Sequence, residues 1–452
     1  MNVLLITNSN ISSGAGVIAK DFRDAFQKHQ VDAKIMVNQY SGELDYVYNI
    51  QSEAQSKKIA RLRNFVKHKI FKKLATGAIR ILANTFNISN GLVFRSLNQN
   101  KYFVQDINQT KNIHASEELH EKASNFKPDA IIVLFMQNFI TYQNIHELSQ
   151  KWGNIPVFVT VLDMAPITGG CHYTWDCLGY QNSCTDCPAV SKNYKKFPEK
   201  NLKFKQHYAQ KGNFNFVYSS DYQKEVLSKA QISGQNKQYK IPLPTNEDYY
   251  FNNPEARMKF RNALGFSDAD IVVFFGAMDL ANPRKGGKYL KEMVKKISND
   301  SDLPNLKFLI IGSNHTEFET IIPKDKLKTL DVISPRELPN YYNAADIFLS
   351  PSVEDAGPMM VNQSLMCGTR VCAFEIGVAI DMVKSNNDCG KCAEAISTED
   401  LYKTLKEEIR FQSASNRSVL REKCAEKAFF MTSKSEVSKK WIDIINDARN
   451  NK

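Results

Sequence analysis

Residues 347–363 read Ile347-Phe348-Leu349-Ser350-Pro351-Ser352-Val353-Glu354-Asp355-Ala356-Gly357-Pro358-Met359-Met360-Val361-Asn362-Gln363, and this stretch decides the fold. The apolar run Ile347 to Leu349 suits a strand buried on both faces of a parallel sheet. A polar turn carrying two acids follows, and Gly357-Pro358 opens a helix, because proline is well tolerated at the first helical position. The helix runs out through Ser364-Leu365-Met366-Cys367-Gly368-Thr369, and Val371 to Phe374 is the next apolar run. Strand, loop, helix, strand is βαβ grammar.

The same grammar recurs on both sides. Upstream, Ile271 to Phe275 reads as a strand ending at Gly276, followed by a polar loop through Pro283-Arg284-Lys285-Gly286-Gly287; Phe308 to Ile311 is another strand, ending at Gly312. At the start of the chain, Val3 to Ile6 is a buried strand, Gly14-Ala15-Gly16 lies in the loop after it, and Ile18, Phe22 and Phe26 recur at helical spacing. Val31 to Val37, Ala130 to Leu134, Val157 to Val161 and Asn215 to Tyr218 read as further strands, with Ser219-Ser220-Asp221 as a helix N-cap. Ile241-Pro242-Leu243-Pro244-Thr245-Asn246 reads as an extended linker, because proline restricts its own backbone and that of the residue before it. The expected fold class is therefore α/β. A first domain spans residues 1–243 and a second spans 244–430, with a helical tail at 431–452 that carries Trp441 and packs back on the first.

Composition narrows the function. The chain has 452 residues, enough for two full cores, and a formal net charge of +11. That charge suits an anionic partner such as a phosphorylated substrate or an acidic membrane surface; a plain Lys-rich solvated surface is the other reading. The start of the chain lacks a basic n-region, and its longest apolar stretches are strand-length, short of the roughly 20 residues a bilayer needs. Nine cysteines, several inside core elements, favour a reducing, cytoplasmic compartment. Between Gln51 and Arg95 the grammar breaks. Lys57, Lys58, Arg61, Arg63, Lys67, Lys69, Lys72 and Lys73 alternate with apolar residues, as in an amphipathic helix with a cationic face.

In open parallel sheets, ligands sit beyond the carboxyl ends of the strands. Gly14 and Gly16 after the first strand let backbone N–H groups approach a phosphate, though an ordinary βα turn has the same look. Arg284 and Lys285 offer a diphosphate a planar fork and a point charge; a solvated basic turn is the alternative. Glu354 and Asp355 can accept hydrogen bonds from sugar hydroxyls, with the helix start at Gly357, Pro358 and Met359 facing a phosphate, or they can be plain helix caps. The fourth place is Thr168-Gly169-Gly170-Cys171-His172-Tyr173-Thr174-Trp175-Asp176-Cys177, continuing to Cys184-Thr185-Asp186-Cys187.

The region Ser350 to Gly377 resembles the signature of the retaining glycosyltransferase family 4: Pro351-Ser352, an acid at Asp355, a second site residue at Gln363, then Cys367-Gly368-Thr369-Arg370-Val371. Tyr341 to Leu349 resembles the stretch that precedes it. The resemblance implies a GT-B fold, with two Rossmann-like domains facing each other across a cleft, the first binding the acceptor and the second a nucleoside diphosphate sugar. It implies transfer of a glycosyl group with retention, Asp355 (with Glu354) facing the transferred sugar, Gln363 the ribose, and no cofactor for catalysis. Arg284 and Lys285 would stabilise the departing diphosphate. The chain departs from the pattern at Gln363, where the family has a second Glu, and after Gly276, where Ala277 and Met278 replace an Arg.

The Thr168–Cys187 segment resembles a subgroup from bacterial exopolysaccharide, capsule and lipopolysaccharide pathways. Leu162-Asp163 stands where that subgroup has His-Asp, leaving His172 as the imidazole for the site. Cys171, Cys177, Cys184 and Cys187 can close a structural zinc site, stay reduced thiols or form disulfides. Cys389 and Cys392 form a separate pair without an interpretation. The implied acceptor is a saccharide or a lipid-linked sugar. The cationic stretch would hold the enzyme peripherally at the inner face of an anionic membrane, and nucleic acid is not an expected partner. A non-catalytic nucleotide-sugar binding protein is the rival, and an oxidoreductase is disfavoured because the full dinucleotide fingerprint is missing.

Overall fold

The computed structural model describes residues 1–8, 10–11, 16–40, 42–51, 101–107, 109–190, 194–298, 300–303 and 305–450. Gly14 and the cationic stretch from Lys57 to Lys73 lie outside the described residues. The chain divides into two compact units: Met1–Tyr218 with Lys224–Ile241 and Ser438–Lys452, and Ser219–Gln223 with Pro242–Val437.

The first unit is built on a seven-stranded parallel sheet of β1 (Asn2–Thr7), β2 (Asp32–Val37), β3 (Val47–Asn49), β4 (Ala130–Phe135), β5 (Val157–Thr160), β6 (Phe214–Tyr218) and β7 (Gln238–Lys240). Its order is β3-β2-β1-β4-β5-β6-β7. Val3, Leu4, Leu5 and Ile6 in β1 are fully buried, as the near-continuous apolar run requires of a strand covered on both faces. The covering helices include α1 (Gly16–Gln27), α2 (Ser116–Lys122), α3 (Tyr142–Lys151) and α4 (Lys196–Lys211). The C-terminal helix Lys434–Asn450 contributes Trp441, which lies edge-on to Phe22 at 5.7 Å and to Phe158 at 5.8 Å within this unit.

The second unit holds a six-stranded parallel sheet: β8 (Ile271–Asp279), β9 (Leu306–Ser313), β10 (Leu327–Leu330), β11 (Ile347–Ser350), β12 (Arg370–Phe374) and β13 (Gly390–Ala393), in the order β10-β9-β8-β11-β12-β13. β8 pairs with β9 on one side and with β11 on the other. The strand order reverses between β8 and β11, so their carboxyl ends flank the topological switch point, where open α/β sheets bind ligands. Two local details differ from the sequence reading. β8 runs past Gly276 to Asp279 through a register shift, because its edge with β9 resumes pairing at Asp279 and Ser313. Pro358 is the N-cap and the helix itself is Met359–Met366, so the proline precedes the first helical residue.

A buried carboxylate ties this unit's base together. Asp346, at the foot of β11, pairs with Arg261 at 3.1 Å, Arg417 at 3.3 Å and Arg257 at 2.5 Å. Burial alone would raise its pKa, but the three guanidiniums hold it below the ordinary aspartate value.

Candidate functional site

The switch point of the second sheet brings together Arg284, Lys285 and Asp355. Arg284 and Lys285 occupy a single 3-10 turn, Pro283–Lys285, after β8. Asn282 caps that turn by accepting the Arg284 backbone N–H at 3.1 Å, and Gly286 ends it with a φ of 70°. The Val353 N–H donates to the Arg284 carbonyl at 2.8 Å, so the cationic loop and the acidic loop after β11 are joined backbone to backbone. A Cβ on Gly286 would sit 1.8 Å from the Pro351 carbonyl oxygen, which is why only glycine permits this approach.

Asp355 receives a partner on each oxygen. Its Oδ2 lies 2.6 Å from Lys285 Nζ and 3.6 Å from the Arg284 guanidinium. Its Oδ1 accepts the Gly357 N–H at 3.3 Å. Its side chain is 7% exposed, against 18% for Arg284 and 28% for Lys285, so the cations sit nearer solvent than the acid. The Arg284 guanidinium also donates to the Glu354 carbonyl oxygen at 3.3 Å. Gln363 is half-buried on the following helix, where its Oε1 accepts from the Tyr342 hydroxyl at 3.3 Å. Chemically, this is a cation pair able to hold a diphosphate, a carboxylate able to bind a sugar hydroxyl, and a helix start a few residues further along the chain.

The remaining expected residues belong to the first unit. Gly16 begins α1, and a Cβ there would meet the Asn10 carbonyl oxygen at 2.0 Å, a packing reason for this glycine. His172 is half-buried; its backbone N–H donates to Phe103 O at 2.9 Å, its carbonyl accepts from Met164 N at 2.9 Å, and its ring lies 4.5 Å from that of Tyr173. Cys171 and Cys187 are in hydrogen-bond contact, and Cys184 Sγ accepts from Gly169 N at 3.3 Å. All nine cysteines are free thiols, and among the described residues no group of three or more His, Cys, Asp or Glu side chains is arranged to hold a metal ion.

Two polar groupings here join residues that the sequence does not pair. Lys205 and Asp106 form a fully buried pair at 2.8 Å, and Lys205 Nζ also donates to Ala165 O at 2.7 Å and Thr168 O at 3.1 Å, fixing the loop that carries the Thr-Gly-Gly-Cys stretch. At the carboxyl ends of β1, β4 and β5, which span this sheet's own switch point, Asn8 Nδ2 donates to the Gln137 carbonyl at 2.9 Å and Gln137 Nε2 donates to Asp163 Oδ2 at 2.7 Å. Burial raises the Asp163 carboxyl to a pKa of about 7, against the opposing pull of the Ala165 N–H and Gln137. Asp163 lies three residues past the end of β5; the sequence marks it only as the acid of Leu162-Asp163, where the resembled subgroup has His-Asp.

Residues 269–409 match the family model described as "Glycosyl transferases group 1". No curated protein matches the chain significantly. Among solved structures, the chain is similar to a sucrose-phosphate synthase from Thermosynechococcus elongatus (13% identity, TM-score 0.63, all of both chains covered). It is also similar to Anabaena HepE in complex with UDP (13%, TM-score 0.62, 99% of this chain and 100% of that one) and to a glycosyltransferase from Rickettsia africae (14%, TM-score 0.62, 100% and 99%). The fold is GT-B, with two Rossmann-like units.

Proposed function

We propose that the chain transfers a glycosyl group from a nucleoside diphosphate sugar to an acceptor hydroxyl, with retention, in the assembly of a bacterial surface polysaccharide. The observation that carries this reading is the convergence of Arg284, Lys285 and Asp355 at the switch point of the sheet whose residues match the group 1 model. In the reaction, the bond between the anomeric carbon and the phosphate oxygen breaks, a new bond forms to the acceptor oxygen, and the acceptor proton leaves with the diphosphate. Negative charge develops on the departing diphosphate, and two cations held in a partly buried loop stabilise it more strongly than water does. Asp355 orients the sugar, and Gln363 retains an acceptor oxygen for the ribose. The first unit takes a saccharide or lipid-linked acceptor, with His172 and the loop around it on that side. Among the described residues no helix is long and apolar enough to cross a membrane. The Lys57–Lys73 stretch supplies peripheral, salt-sensitive attachment to anionic headgroups.

Turnover of a UDP- and GDP-sugar series, with Lys285→Ala beside the wild type, tests this. Loss of a leaving-group stabiliser lowers kcat by about 100-fold or more. A folded Lys285→Ala protein within a factor of a few of wild type removes Lys285 from the chemistry.

A further inference from the structure

We propose that the Asp355 carboxylate is an internal occupant of the Arg284–Lys285 anion site, from which an incoming diphosphate draws the cations away, so that donor binding itself releases the acid for the sugar. The inference rests on the donor-site reading above and adds a gate to it.

Two cations on one 3-10 turn form a site with a surplus of positive charge, and the anion found there is the protein's own: Asp355 Oδ2 is 2.6 Å from Lys285 and 3.6 Å from Arg284. A diphosphate brings more negative charge and more acceptor oxygens than one carboxylate, so it outcompetes Asp355 for both cations. The backbone does not need to move. Asn282 and Gly286 fix the turn, and the Val353 to Arg284 hydrogen bond fixes its distance from the acidic loop. What moves is the Lys285 side chain, an ammonium on a flexible four-carbon stem and the more exposed of the two cations. Asp355 stays in place through its other oxygen, which holds the Gly357 N–H at 3.3 Å. Once Lys285 swings to phosphate, Oδ2 has lost its nearest cation and gains the capacity to accept from a sugar hydroxyl.

An occupied site binds its ligand less tightly. If the cations are unpaired in a tenth of molecules, the apparent Kd is raised about tenfold over the intrinsic value. Removing the carboxylate therefore tightens diphosphate binding, the reverse of what loss of a ligand-contacting residue does.

The experiment is calorimetric titration of the full chain with inorganic pyrophosphate, UDP, GDP and the phosphate-free nucleosides uridine and guanosine. The proteins are wild type, Asp355→Asn, Lys285→Gln and the double variant. Asp355→Asn binds pyrophosphate and the preferred nucleoside diphosphate about 5- to 10-fold more tightly than wild type, while nucleoside binding is unchanged. In the Lys285→Gln background the same substitution gains less than about twofold, because the competing pair is already gone. Equal or weaker diphosphate binding by Asp355→Asn, with wild type binding normally, overturns the gate and leaves the donor site standing. Absence of diphosphate binding in wild type and every variant overturns both. Thermal melts of the four proteins establish that each is folded.

Discussion

Gly286→Ala probes the geometry on which the site depends, and a matched control makes its effect readable. Gly286 has φ 70° and Gly265, which caps the helix Pro254–Leu264, has φ 75°. Both pay the same backbone penalty for a Cβ in the left-handed region, about 1 kcal/mol. They differ in space. Nothing lies within 4 Å of a Cβ on Gly265, whereas one on Gly286 would be 1.8 Å from Pro351 O. Relieving that overlap requires roughly 1.5 Å of separation to reach an ordinary C···O contact. A shift of that size breaks the 2.8 Å Val353–Arg284 hydrogen bond, worth about 1 kcal/mol. Gly286→Ala should therefore cost about 2–3 kcal/mol against about 1 for Gly265→Ala. It also pulls Arg284 and Lys285 from Asp355, and a misplacement near 1 Å costs on the order of 100-fold in rate. Urea melts and donor turnover on both variants measure this. Equal stabilities, or unimpaired turnover in Gly286→Ala, would refute the claim that this close approach builds the site.

Further expectations concern buried groups. With a folded-state pKa of about 7, Asp163 is protonated in the native state over a window where the unfolded carboxyl is ionised, from about pH 4 to 7. Its contribution is thus present below the unfolded pKa and lost as pH rises through 7; melts at pH 5 and 8 should show the stability advantage of Asp163→Asn growing with pH, and a flat difference contradicts the assignment. Asp346→Ala strands three guanidiniums and should cost about 3–5 kcal/mol by urea melt, whereas a loss under 1 would deny the cluster its structural role. For the cysteines, native thiol labelling followed by peptide mass mapping should find Cys177, half-buried, reacting before the buried Cys171, Cys184 and Cys187. Protection of all four together with about one zinc per chain would instead mark them as ligands.

The central strands were legible because burial on both faces leaves an unbroken apolar run, as in β1, β4, β8 and β11. The edge strands β3, β7, β10 and β13 were not. Val47–Asn49, Gln238–Lys240, Leu327–Leu330 and Gly390–Ala393 are short, mostly half-exposed, and interrupted by polar residues, so their periodicity is that of a loop. Even the overrun of β8 was hidden, since Met278 in it is 76% exposed. At the site, Arg284, Lys285 and Asp355 could be picked out by residue type and by position after a strand. That Lys285 and Asp355 pair with each other across 70 residues could not, because only the β8–β11 neighbourhood brings them together. The same holds for Asp106 with Lys205 and for Asp346 with its three arginines, where each residue alone reads as an ordinary surface charge.

The central claim is that this chain breaks the anomeric bond of a nucleoside diphosphate sugar. Its most direct test is the release of nucleoside diphosphate from a panel of UDP- and GDP-linked sugars by full-length wild type, with and without saccharide and lipid-linked acceptors. Acceptor-stimulated release from one donor class is expected, lowered about 100-fold in Lys285→Ala. Tight binding of a nucleotide sugar with no release under any acceptor would contradict it and leave a binding protein in its place.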